Sequence, residues 1–488
     1  MTDRAELPEF ITTQLPRWST GPEISRARRL LVLGVCCTGL FMVTTDNTIV
    51  NVALPSIRSQ LHASVSGLQW TVAAYTIVLA TMMMVAGAAG DRFGRRTVLQ
   101  AGLALFTLGS WLCSLAPGLD WLIGFRIVQA VGGSMLSPVA ASIISYTFAD
   151  STERARAVGV WGGVFGWSMA FGPVLGGLLT GLAGWRSVFW VNIPIGLAAI
   201  VLTSIFVPES RAPRARRPDP VGQFLVTVML GSLTYAIIEG PADGWVSARI
   251  TGLFAVAVLA LVGAAIYESQ RREPFIDPRF FRSIPFTGAV VIAICAFAAL
   301  GGFLFLATLY LQDVLGFSPL QAGLRLLPAA AGMAVCAPVS GAIIARRGTR
   351  VPMLIGGVAL TLSTAALARV TGPGTGRLLI LAIELFGVGF GFVNAAITAT
   401  ALAGVPRAQS GVAGGISSAS RQVGQSLGVA IVGAILTAGL RGPMRTGFVA
   451  ASHADWWLMA GCGYLILVLG VITTSQRALS TAAKVEFR

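Results

Sequence analysis

Apolar runs follow one another along this chain from Leu30 to Ile472, each long enough to cross a bilayer as a helix and each ended by a short polar break. The windows are 30–54, 68–90, 98–117, 122–148, 158–182, 188–207 and 221–238. They continue with 250–267, 286–311, 324–345, 351–369, 378–402, 411–440 and 457–472. The pattern predicts fourteen membrane-spanning helices and no sheet, because only a helix satisfies its own backbone polar groups in lipid one segment at a time.

The breaks alternate in charge. One set carries Arg26, Arg28 and Arg29; Arg92, Arg95 and Arg96; Arg154 and Arg156; and Arg211, Arg214, Arg216 and Arg217. The same set continues with Arg271, Arg272, Arg279 and Arg282; Arg346, Arg347 and Arg350; Arg407; and Arg477, Lys484 and Arg488. The other set has isolated residues such as Arg58, Arg186, Arg249 and Arg325, plus Arg441 and Arg445. Cationic loops are retained on the cytoplasmic side, so both termini are expected there. Adding or dropping one span would scramble the alternation downstream of it.

Composition fits this reading. The chain has 488 residues, 55% hydrophobic and 11% charged, and a mean hydropathy of +0.77. No single soluble core hides that much apolar surface. The formal charge of +15 lies in loops between spans, which points to a lipid bilayer as partner and away from nucleic acid. The first 29 residues are polar, but the run after them extends too far for a cleaved signal, so it reads as an uncleaved first span. The six cysteines sit in apolar runs, and the two histidines, His62 and His453, fall in predicted loops. No metal site is expected from such spacing.

The exits of spans two and ten match. Gly87-Ala-Ala-Gly-Asp91-Arg92-Phe93-Gly94-Arg95-Arg96 parallels Gly341-Ala-Ile-Ile-Ala345-Arg346-Arg-Gly348-Thr-Arg350, with both glycine pairs 254 positions apart (341 minus 87; 348 minus 94). Six spans, two extra and six more then form a duplicated plan with a substrate site between the halves. The expected organisation is a cytoplasmic segment at 1–29, a six-helix bundle at 30–207, and a Pro- and Arg-rich linker at 208–220. Two additional helices and a loop follow at 221–285, then a second six-helix bundle at 286–475 and a cytoplasmic tail at 476–488.

The stretch around Gly87, Asp91, Arg92, Gly94, Arg95 and Arg96 resembles the loop signature of the major facilitator superfamily. There Gly94 permits a tight turn, and Asp91 pairs with cations or a helix N-terminus to latch a cytoplasmic gate. Arg126-Ile-Val-Gln129-Ala130-Val-Gly132 is similar to its intramembrane Arg signature, with Ala130 in place of a usual Gly. Gly172-Pro173-Val-Leu-Gly176-Gly177 resembles its antiporter signature, where small residues admit close helix approach and Pro173 a pivot. Asp46-Asn-Thr-Ile-Val-Asn51-Val-Ala-Leu54-Pro55 and Trp185-Arg186-Ser-Val-Phe189-Trp-Val-Asn192-Ile-Pro194 look like the fourteen-span drug:proton antiporter branch.

The resemblance implies an all-α integral membrane protein with the major-facilitator fold, two six-helix bundles plus two extra helices. It implies a monomeric multidrug or antibiotic efflux transporter in a bacterial inner membrane, not an enzyme. Its coupling ion is the proton, without a further cofactor.

Ionisable residues inside spans are functional by default. Asp46 lies sixteen residues past Leu30, about 24 Å deep as a helix, and Arg126 and Glu384 are expected at a similar level. Under the 254-residue offset Glu384 corresponds to position 130, one turn from Arg126, so the three are expected to face one cavity. Asp46 or Glu384 then exchanges a proton for substrate, with Arg126 adjusting the affinity; a static buried ion pair is the bland alternative. Phe41, Gln129, Trp161 and Trp167 are expected to line the substrate cavity, whereas Arg421 and Glu239 read as interfacial.

The lone lysine, Lys484, stands outside any phosphate-binding loop, which excludes ATP drive by this chain. Gly387-Val-Gly389-Phe-Gly391 lies within a span and reads as helix packing. The expected function is proton-coupled export of hydrophobic or amphipathic small molecules, such as drugs, antibiotics or secondary metabolites. A proton-coupled importer and a non-transporting sensor are the alternatives.

Overall fold

A computed structural model describes residues 25–212, 219–271, 278–370, 375–405 and 410–483. Positions 1–24, 213–218 and 484–488, read above as parts of the N-terminal segment, linker and tail, lie outside the described residues, as do Arg272 and Arg407. The helices are α1 Arg26–Leu61, α2 Val65–Phe93, α3 Arg95–Ser114, α4 Leu119–Thr147, α5 Ser151–Ala183, α6 Ser187–Trp190 and α7 Asn192–Phe206. Two more, α8 Pro220–Asp243 and α9 Ala248–Gln270, precede α10 Ile284–Leu309, α11 Pro319–Arg325, α12 Leu327–Arg347 and α13 Arg350–Leu367. The last are α14 Gly376–Ala403, α15 Ser410–Gly439, α16 Met444–Thr473 and α17 Gln476–Ala483. All fourteen predicted spans are helices long and apolar enough to cross a membrane. Span six is α6 with α7, span nine is α10 with a π turn at Tyr310–Val314, and span ten is α11 with α12.

Local chemistry sets the ends. Ser64, Asp150, Asp219 and Ser247 cap α2, α5, α8 and α9 through side-chain oxygens. Gly94 and Gly348, matched in the repeat, end α2 and α12 at φ of +114° and +74°. Only glycine adopts such values without strain, so the repeat is a structural one at these turns. Helix α1 runs past its predicted edge to Leu61 with Pro55 inside it.

In the first half α1 packs on α4 and α5, α2 on α4, and α3 on α4 and α7. In the second, α10 packs on α14, α15 and α16, while α12 and α13 pack on α14. The inserted α8 lies against α9 and touches both α2 and α15, so it straddles a seam between the halves. Trp70 of α2 donates to Glu239 of α8 at 2.7 Å.

Glycines fix the spacing within each half. A Cβ on Gly132 would lie 2.3 Å from Phe106 N and 2.7 Å from Gly102 O. Its counterpart Gly389 meets Leu360 N at 2.8 Å and Gly356 O at 3.0 Å. The contacted pairs differ by 254 positions (360 minus 106; 356 minus 102), but the two glycines by 257 (389 minus 132). Three extra residues therefore precede the second copy of this helix, and the offset read from the sequence fails beyond them.

The halves touch mainly toward the Arg-poor ends of their helices. Arg58 pairs with Asp313 at 2.9 Å, and Gln312 donates to Val52 O at 2.9 Å. Gln69 donates to Val429 O and Ala430 O at 3.1 and 2.7 Å. A Cβ on Gly177 or Gly323 would lie 2.4 Å from Pro319 O or Pro173 O, respectively. Toward the Arg-rich ends, Gly159, Gly162 and Gly163 of α5, Gly341 of α12, and Gly414 and Gly415 of α15 face open space. These faces leave room for a cleft between the halves on that side.

Candidate functional site

Asp46 and Arg126 form a buried ion pair, each about 1% exposed. Five elements build it. Arg126 Nη1 donates to Asp46 Oδ2 and, at 2.7 Å, to Gln129 Oε1, while Nε donates to Thr71 O at 3.3 Å. Gln129 Nε2 donates to Asp46 Oδ1 and to Ser110 Oγ, both at 2.8 Å. Asn192, entering from α7, donates to Asp46 Oδ1 at 3.3 Å. The guanidinium lies 3.9 Å above the Tyr75 ring, which adds a cation–π face. Every partner belongs to the first half, and the pair is closed to the cleft in this arrangement.

Desolvating two charges is costly, and the network offsets it by giving each carboxylate oxygen and most guanidinium nitrogens a partner. Protonating Asp46 would remove the main partner of Arg126, so one proton changes the bonding of α1, α4 and α7 together.

Glu384 does not join this site. It is exposed, on a stripe of α14 with Leu381, 63% exposed, whereas Ile383, Phe386 and Gly387 turn inward. The three-residue shift explains the misplacement: the structural counterpart of Glu384 is Ile127 (384 minus 257), itself 41% exposed, and not residue 130.

Gln129 is fully buried within the network and so is closed off from the expected cavity, because Gly109 lets α3 approach to where a Cβ would sit 2.5 Å from Gln129 Cα. Trp167 also leaves the expected cavity. It is 69% exposed on a stripe with Phe171, Leu178 and Leu182, opposite the faces α5 presents to α1 and α11. Phe41 and Trp161 are half-buried, the latter packed against the first-half core. A narrow apolar crevice between the halves is lined instead by Thr48, Met169, Pro173, Leu300, Phe303 and Met333.

Of the antiporter-like glycines, Gly172 and Gly176 pack α5 on α1 within the first half, and Gly177 acts at the seam. A Cβ on Gly172 would meet Thr48, one on Gly176 would lie 2.7 Å from Ile49 O, and Gly177 abuts Pro319. Asp91 pairs with Arg95 at 2.9 Å, within its own half. The N-terminus of α3 is held instead by Glu209, which accepts from Thr97 Oγ1 at 2.6 Å and from the Arg96 and Thr97 N–H groups at 3.0 and 3.2 Å. Partial burial pushes the Glu209 carboxyl up, but these bonds and the Ser210 N–H outweigh it and hold the group below the ordinary value.

The sequence reading passed over three groups. Asn192 was visible only as part of a longer signature. Asp455, on α16, is fully buried with neither carboxylate oxygen bonded. Arg421 is not interfacial: it lies eleven residues into α15 from Ser410, about 16 Å along the axis. The helix starts one residue from the predicted edge of its span, so the misplacement came from reading Arg421 as near that edge and not from the helix length.

A family model described as Major Facilitator Superfamily matches residues 36–429. The chain is 38% identical over 415 residues to "Multidrug resistance protein Stp" of Mycobacterium tuberculosis, covering 84% of this chain and 76% of that one. It is 36% identical over 413 residues to "Tetracenomycin C resistance and export protein" of Streptomyces glaucescens, with 84% and 76% covered. It is 33% identical over 457 residues to "Methylenomycin A resistance protein" of Streptomyces coelicolor, with 92% of each covered. Among solved structures, a bacterial homolog of the human lysosomal transporter Spinster superposes with a TM-score of 0.65 at 19% identity, over 95% of this chain and 100% of that one. The xylose transporter XylE from E. coli gives 0.63 at 14% identity, over 93% and 99%.

Proposed function

The chain belongs to the major facilitator superfamily, and from that premise we propose that this secondary transporter is a proton-coupled antiporter exporting hydrophobic or amphipathic small molecules. The names of the relatives, resistance and export proteins for drugs and antibiotics, favour export over import. In the proposed orientation the Arg-rich side faces the cytoplasm of a bacterial cell, so the cleft takes substrate from the inside or the inner leaflet. The proton is the coupling ion, and the working unit is the monomer.

One observation carries the coupling: the sealed Asp46–Arg126 pair, bonded across α1, α4 and α7. A proton reaching Asp46 neutralises it, frees Arg126 to rebond, and loosens the packing of the first half. Rocking of the halves about the Arg-poor seam then exposes the cleft to the other side, where substrate leaves. Return of the proton to the cytoplasm resets the pair. One proton crossing 100 mV supplies about 2.3 kcal/mol, enough to support a substrate gradient of roughly 50-fold before any pH difference is added.

The test is substrate-evoked proton flux in sealed proteoliposomes, using the uncharged dye Nile red as a lipophilic probe. Asp46→Asn should abolish the flux while Nile red binding persists, and Glu384→Gln should leave the flux unchanged. Flux that survives in Asp46→Asn removes Asp46 as the proton carrier.

A further inference from the structure

The second half holds a mid-membrane cation that no carboxylate neutralises. Arg421 Nη2 donates to the Thr398 hydroxyl, and the guanidinium stands 5.6 Å from the centre of the Phe297 ring. Its Nε is buried without a partner. None of the ion pairs among the described residues involves Arg421. Glu384, on the same helix as Thr398, is fourteen residues away, about 21 Å along the axis. Arg126, the comparable cation of the first half, is by contrast saturated by Asp46 and Gln129.

A guanidinium stays charged at any pH the cell meets, so it cannot escape the cost of burial by losing a proton. That cost is met by water in an open cleft or by an anion. The surroundings suit the anion. Gln425 Nε2, one turn from Arg421 on α15, is a buried donor without a partner, whereas the unpartnered buried atoms of Asn394 and Gln422 are amide oxygens, which do not themselves serve an anion. Arg421 and Gln422 are half-buried, and on the Arg-rich side of them Gly414 and Gly415 face open space, so the cleft leads to the group. Phe297 supplies an aromatic wall beside the charge.

We infer that Arg421, with Thr398 and Gln425, forms an anion subsite of the cleft and selects amphipathic substrates that carry an acidic group, such as a carboxylate, sulfonate or ionised phenol, next to an aromatic or apolar body. The inference rests on the exporter reading for its biological role but not for its chemistry. The site binds the acid head through charge-assisted hydrogen bonds, with Phe297 backing the guanidinium from the core, while the body lies in the apolar crevice. Substrate binding and proton binding are then divided between the halves: Arg421 takes the anion in one, and Asp46 takes the proton in the other.

The matched probes are 1-pyrenebutyrate and its uncharged amide, bound to purified full-length protein in phosphatidylcholine nanodiscs and read by energy transfer from tryptophan to pyrene. The acid should bind about 10- to 100-fold more tightly than the amide, the range expected for hydrogen bonds to a charged group. Arg421→Gln should erase that difference and leave amide binding unchanged, and Arg421→Lys should keep most of it. Equal binding of the two probes by the parent protein overturns the inference, whatever the fate of the variants. So does an Arg421→Gln protein that loses both probes alike. If replacing part of the phosphatidylcholine by phosphatidylglycerol displaces the acid competitively, the subsite holds a lipid headgroup and the substrate assignment falls. The preference for acid together with absent proton flux supports the subsite and removes the exporter reading. Flux without any preference does the reverse.

Discussion

The buried pair lends itself to a double-mutant cycle. Arg126→Leu leaves the Asp46 carboxylate, about 1% exposed, with only the Gln129 and Asn192 amides at 2.8 and 3.3 Å. An uncompensated buried charge of this kind costs about 3–5 kcal/mol. Asp46→Leu strands the guanidinium, which keeps Gln129 Oε1 at 2.7 Å, Thr71 O at 3.3 Å and the Tyr75 face, at a cost of the same order. Removing both charges together leaves no ion to solvate, and apolar replacement of a buried pair is often neutral or stabilising by about 1–4 kcal/mol. Even with the orphaned Gln129 costing about 1–3 kcal/mol, the double variant should lose at least about 3 kcal/mol less than the two single losses combined. Thermal unfolding followed with a thiol-reactive fluorophore suits the chain once the half-buried Cys37, Cys295, Cys336 and Cys462 are replaced by Ser, since Cys36 and Cys113 are free and buried and react only when the bundle opens. The expected order of stability is parent and double variant together, with both single variants well below. A double variant whose loss matches the combined single losses would show that the two charges do not compensate each other, and the account of the network would be wrong. All three variants should lack substrate-evoked proton flux.

Gly177→Val should leave membrane insertion intact but reduce transport by at least about tenfold, because its Cβ would lie 2.4 Å from Pro319 O and hold the Arg-poor seam apart; dye efflux from cells of matched expression measures this. Glu209 is held below its ordinary value in the fold, so its stabilisation is complete above the ordinary carboxylate value of 4.5 and fades as pH falls through the lower folded value. The parent should therefore exceed Glu209→Gln in unfolding temperature at pH 7, by the equivalent of about 1 kcal/mol or less, and the gap should close below pH 4. A gap that widens on acidification would contradict the capping role. Asp455→Leu should raise the unfolding temperature, by the equivalent of about 1–3 kcal/mol, since it removes a fully buried carboxyl without a bonded oxygen; a fall would mean that Asp455 has a stabilising partner.

The spans and their alternation were legible in the sequence because each span meets the same two constraints wherever it sits: it must be apolar for about 20 residues, and its loops carry charge by side. These are properties of one helix and its ends, independent of its neighbours. Gly94 and Gly348 were legible for the same reason, since a positive φ is a local demand. The pairing of Asp46 with Arg126 was anticipated as the static alternative, on the ground of a shared depth, and depth is a coordinate along one helix axis.

Which way a residue faces is decided between helices. Glu384, Gln129 and Trp167 lie on the expected helices but on other faces than expected, because three extra residues turn α14 by most of a turn, Gly109 draws α3 onto α4, and α5 gives its glycine face to α1 and α11. Arg421 shows the same limit from the other side. The sequence supplied the cation, but only the packing of α14 and α15 showed that it stands deep in the second half without a counterion. Hydropathy and loop charge thus determined the number of spans and their alternation. The rotation of each helix about its axis, which separates a buried ion pair from an exposed glutamate, came from close packing at small residues and so from the tertiary structure alone.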